Sequence, residues 1–210
     1  MLLRLPPPIS VAHLCTATVL VLLLGVRSTR ALAPAPLPAR PGAAGFLDVV
    51  LGIWFLQVGL CALVRHLGAA PACGTDALLC DGPLELTHSA VLLQLTHRTV
   101  GALVLTLILY FVVRTERDPL ASSDTRWGAR TALAMVLLQV GLGMAAIAGA
   151  LSLSLVTLHL LGAQLLGLTL IVLRVRMGSP LGAATSRAVS VGDREVLLAT
   201  QGVGAVSDPT

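Results

Sequence analysis

Across 210 residues the sequence is 56% hydrophobic and only 11% charged, with a mean hydropathy of +0.91. These values exclude an ordinary soluble domain and point to an integral membrane protein whose partner is the lipid bilayer. The formal net charge is +4, and every one of the fourteen basic residues is arginine; their placement reports topology, and no nucleic-acid partner is implied.

Apolar runs of about 20 residues, the length needed to cross the hydrocarbon core, occupy 9–26, 45–64, 92–113, 130–150 and 151–173. The expected fold class is all-α integral membrane: a four-helix transmembrane bundle preceded by one extra N-terminal transmembrane helix. Residues 1–26 form that anchor. Arg4 ahead of an apolar stretch, with Ala31 and Ala33 behind it, also resembles a secretory signal; cleavage would leave Arg30 and Arg40 outside, against the charge bias of the other helices, so the anchor reading is preferred. A Pro-rich cytoplasmic linker, 27–44, separates the anchor from the four-helix membrane domain, 45–177. The last two runs are nearly fused, but Gly149-Ala150-Leu151-Ser152 supplies small residues for a tight turn, so they read as a hairpin. Residues 178–210 lack a sustained apolar period and are expected to be a disordered tail.

Arginines orient the chain. Arg27, Arg30 and Arg40 lie in one connection, Arg114, Arg117, Arg126 and Arg130 in another, and Arg174 and Arg176 follow the last span. The positive-inside rule makes these cytoplasmic, with the C-terminus, in a bacterial-type cytoplasmic membrane. The loop that carries Cys73 and Cys80 with Asp76, Asp81 and Glu85 is then extracytoplasmic. On that oxidising side the two cysteines could form a disulfide; two free thiols or an incomplete metal pair are the alternatives. Cys15 and Cys61 fall inside helices, where a small buried thiol needs no further role.

Ionisable side chains inside membrane spans seldom lack a task, and this chain places His97 and His159 in two of them. With a rise of 1.5 Å per residue, His97 lies roughly 8 Å and His159 roughly 12 Å below the outer edge, so the imidazoles can share one level. Two neutral imidazoles on facing helices could ligate a heme iron on both faces. Gly101 lies four residues after His97, and Gly162 and Ala163 three and four after His159, where they would leave room for a flat macrocycle. Arg65 and Arg98 could pair with its propionates. A proton relay or plain inter-helix hydrogen bonding would also account for the histidines. His66 and His88 sit at the outer edge with Glu85, as outer-side polar groups, and His13 has no evident partner. No P-loop, G-x-G-x-x-G, H-E-x-x-H or G-x-S-x-G motif competes.

These elements resemble a family, the heme A synthases of cytochrome oxidase assembly. The resemblance rests on Val64-Arg65-His66 with Gly68 and the Cys73/Cys80 loop, on Gln94-x-x-His97-Arg98, on Leu138-Gln139-x-x-Leu142-Gly143, and on Leu158-His159. It covers about 45–173 and leaves the anchor and tail unmatched. It implies that His97 and His159 are axial heme ligands, that Cys73 and Cys80 are the loop cysteines, and that the chain is similar to one four-helix half of an eight-helix protein. Such a half could homodimerise or associate with another heme-biosynthesis membrane protein. The implied activity is oxidation of the heme O methyl group to give heme A; the alternative is a heme b protein for electron transfer or heme delivery. Where the family's substrate half carries a glutamate, this chain has Gln94, which cannot act as a carboxylate base.

Overall fold

The computed structural model describes residues 6–32, 37, 40–74, 80 and 88–178. Within them the chain forms five long helices, α1 (Pro7–Leu32), α2 (Ala43–His66), α3 (Ser89–Glu116), α4 (Ser123–Ala148) and α5 (Leu153–Arg176), and a 3-10 turn at Ala70–Cys73. All five are long and apolar enough to cross a membrane. The fold class is all-α integral membrane, as composition and run length require. Glu85, Asp76, Asp81 and the tail 179–210 lie outside the described residues.

Each of α2 to α5 packs against the next, and α2 also meets α5, which closes a four-helix ring; α1 lies along α5 and α2. The core is a layered set of residues from the four ring helices. Leu47, Val50, Trp54 and Val58 come from α2, Val104, Ile108 and Phe111 from α3, Ala132 and Val136 from α4, and Leu166, Leu170 and Leu173 from α5. On α2 the steps of three and four residues put these side chains on one helical face. The outward faces keep Leu20, Leu24, Leu137, Leu138, Leu161 and Leu165 exposed, which suits a lipid surround.

Close approach between helices depends on glycine at defined points. A Cβ on Gly167 would run into the Trp54 indole, and one on Gly128 into the Leu173 side chain. The large ring of Trp54 can therefore fill the ring's interior while α2 and α5 stay in contact. Gly25 does the same on α1, where a Cβ would stand 2.9 Å from Leu168 and 3.2 Å from Ile171.

One boundary differs in a way that matters from the apolar runs. α1 continues to Leu32, so Arg27 and Arg30 belong to its last turns and not to an extended connection. Nor does α1 stand apart from the bundle: Gln164 on α5 donates to Thr18 Oγ1 at 3.1 Å, and the Leu37 N–H reaches the Arg176 carbonyl. A polar pair of this kind holds neighbouring spans together where lipid offers no competing partner. The α4–α5 hairpin turns at the expected residues. Ala150 and Leu151 both adopt positive φ, 51° and 59°, and the Leu151 N–H closes onto the Ala146 carbonyl at 2.7 Å.

The four described acidic residues, Asp48, Glu116, Asp118 and Asp124, gather at the end of the bundle where α1, α3 and α5 finish. Each is paired there, with Arg174, Arg130, Arg40 and Arg176 respectively, at 2.6–2.9 Å. This belt marks one mouth of the bundle. The histidines lie towards the other.

A histidine and thiol cluster at the loop end of the bundle

His97 follows the first residue of α3 by eight positions and His159 follows the first residue of α5 by six, while Cys61 precedes the end of α2 by five. All three helix ends face the side that carries the cysteine loop. The similar depths bring the side chains together: Cys61 Sγ and one ring nitrogen from each histidine lie within 4.8 Å of one another. The pairing of His97 with His159 is the one that depth along the helices anticipates. Cys61 is the member that sequence reasoning left as a plain buried thiol, because nothing in the α2 run shows which of its faces turns inward.

Glutamine amides surround the cluster. Gln57, one turn before Cys61 on α2, places Nε2 3.0 Å from His97 Nδ1, and its Oε1 is buried without a partner among the described residues. Half a turn of that amide presents Oε1 to an Nδ1–H instead, which leaves the Nε2 lone pair of His97 for a ligand. Gln94 sits three residues before His97 on the same face of α3; it is 3% exposed and its Oε1 also lacks a partner. Gln139 Nε2 and His159 Nδ1 are likewise buried without a partner among the described residues, as are Trp54 Nε1 and Gln164 Oε1 elsewhere in the bundle. Groups of this kind carry a desolvation cost when left unmatched, which a polar partner at this place would relieve.

The glycines expected beside a macrocycle border glutamine side chains here. A Cβ at Gly101 would stand 3.0 Å from Gln57 Nε2, and a Cβ at Gly162 would overlap the Gln139 amide. Both glycines thus receive a glutamine. Gly143 on α4, part of a small-residue packing stripe in the sequence, is the one beside an imidazole, with a Cβ there falling 3.3 Å from His159 Cε1. Ala163 is half-buried.

Around the cluster's outer side, Arg98 is half-buried directly after His97, whereas Arg65, His66 and His88 are exposed at the helix ends. Cys73 is fully buried at the end of the 3-10 turn, with its Cα 4.0 Å from that of Cys80 and the two sulfurs in contact. That turn packs on α3, the helix that carries His97.

The donor chemistry of this centre fits a bis-imidazole iron, with neutral nitrogens converging from two helices and unpaired amides behind them. His97 and His159 are the residues that would hold the iron, and Cys61 Sγ lies within 4.8 Å of a ring nitrogen of each.

Residues 2–172 match the family described as cytochrome oxidase assembly protein. The chain belongs to that family. The match takes in α1 as well as the ring, so the first helix is part of the family's unit and not an unmatched addition. A heme A synthase of Symbiobacterium thermophilum is 41% identical over 113 residues, which are 50% of this chain and 35% of the relative. The chain thus matches about a third of that protein's length. No solved structure matches the chain.

Proposed function

We propose that this membrane protein binds heme between α3 and α5 through His97 and His159, and that it acts as a heme A synthase-type oxidoreductase on the methyl group of heme O. The observation that carries the reading is the convergence of the two imidazoles at one depth of the bundle, in a chain of a cytochrome oxidase assembly family. When bound, the iron supplies the redox chemistry of such a reaction.

What the chain supplies is placement. His97 and His159 fix the porphyrin's position from opposite helices, with Gln57 holding the His97 ring by its other nitrogen, as partners behind metal-bound histidines commonly do. Arg98 and Arg65 lie on the loop side of the histidines, where guanidinium groups can pair with propionates. A Cys73–Cys80 disulfide would pin the loop and its 3-10 turn against α3, limiting the freedom of the mouth above the site. With the arginine-rich belt cytoplasmic by the positive-inside rule, this mouth faces the extracytoplasmic side. Chains with one histidine pair each could combine about a twofold axis into a larger unit.

A second reading draws on Gln94. An amide at this buried position can donate and accept hydrogen bonds but cannot take up a proton as a carboxylate does, and the described carboxylates all sit at the opposite mouth. This favours a heme b protein that holds or delivers heme without converting it. Expression with a heme O supply, followed by extraction and chromatography of the pigment, separates the two. Heme A formed only in the presence of this chain supports the synthase reading, and heme B alone supports the carrier.

A further inference from the structure

Cys61 has no part in the heme reading, yet it completes a three-donor set that resembles a metal site more than a packing cluster. Three donors from three helices, a thiol and two imidazoles, stand within 4.8 Å of one another. In a tetrahedral zinc site the bonds are about 2.0–2.3 Å, which separates neighbouring donors by roughly 3.5 Å. Side-chain rotation on the order of 1 Å therefore closes the set around one ion.

We propose that the chain, when it carries no porphyrin, binds one zinc-class divalent cation through Cys61 Sγ and a ring nitrogen each of His97 and His159. One thiolate with two imidazoles is a donor combination that borderline-soft cations favour over magnesium or calcium. Three protein ligands leave the fourth position open to water. Binding replaces the thiol proton with the metal, and one proton leaves to solvent. A cation here would also neutralise the cost of holding these groups buried and partly unpaired.

Ion and heme exclude each other, since both use the two imidazoles. The arrangement of α2, α3 and α5 is then a metal-competent state. The proposal shares its histidines with the heme reading but does not depend on heme being bound.

The test uses the full chain purified in detergent from heme-deficient cells and titrated with Co²⁺ alone. The expected result is saturation at one Co²⁺ per chain, with a near-ultraviolet sulfur-to-cobalt charge-transfer band that Zn²⁺ displaces. Cys61→Ser removes that band and weakens binding at least about 10-fold, whereas Cys15→Ser leaves both unchanged. X-ray absorption of the cobalt-loaded wild type, which needs no variant to fold, shows one sulfur at about 2.3 Å beside nitrogen ligands. Absence of saturable binding, a sulfur-free coordination shell, or a band that survives Cys61→Ser overturns the proposal. The heme reading fails separately: a cobalt band with no heme uptake refutes that reading alone, and heme uptake with no cobalt band refutes this one.

Discussion

Gln57 shows how much of this centre depends on a residue that no motif singles out. Its amide contacts His97 Nδ1 at 3.0 Å and occupies the space that Gly101 leaves, so ring orientation, hydrogen bonding and a glycine act together. Gln57→Leu keeps the volume and removes the partner; heme affinity should fall about 10- to 100-fold in a heme titration, with Gln57→Glu recovering most of the loss. Unchanged affinity in Gln57→Leu would show that the contact does not orient the ligand. His97 and His159 were legible in the sequence because rise per residue alone equates their depths. Cys61 and Gln57 were not, since a membrane helix is apolar on its lipid side as well as its core side, and hydropathy hides its rotation. The same ambiguity hid the glutamine amides that border Gly101 and Gly162.

Helices and their connections were the most readable level, because a span of about 20 apolar residues has few alternatives in lipid. The hairpin at Gly149-Ala150-Leu151-Ser152 turns where small residues interrupt the run. Its cost was not legible: Ala150 and Leu151 occupy left-handed backbone, which costs a residue with a Cβ roughly 1–2 kcal/mol. Leu151→Gly should therefore raise thermal stability in detergent, by up to about 1 kcal/mol after glycine's unfolded-state entropy is counted. At the α2–α5 contact the opposite sign applies. Gly167→Ala drives a methyl group into the Trp54 ring and should destabilise by about 1–3 kcal/mol, read as a lower unfolding temperature. At the start of α4, Ser122 Oγ accepts from the Thr125 N–H at 3.2 Å; Ser122→Ala should cost about 1 kcal/mol in the same assay.

Taken whole, the molecule is polarised along the membrane normal. One mouth holds the ion-paired belt, with Arg130 gripping Glu116 through two hydrogen bonds of 2.8 and 3.0 Å; the histidines lie towards the other, the end at which α2 finishes and α3 and α5 begin. Pairs this exposed contribute little each, so Arg130→Ala should leave the unfolding temperature nearly unchanged and heme binding intact. Family membership and the histidine pair follow from the sequence; the packing of α1 against α5 and α2 does not, because a proline-rich segment says nothing about where the preceding helix docks. The claim on which the account turns is that α3 and α5 clasp one heme iron. The most direct measurement is the absorption and electron paramagnetic resonance spectrum of the protein purified from heme-replete cells, compared with His97→Ala, His159→Ala and the double variant. The account predicts a low-spin, six-coordinate heme in the wild type, loss of that signature in each single variant, and no bound heme in the double variant. A colourless wild type, or a low-spin spectrum that persists with both histidines replaced, would contradict it.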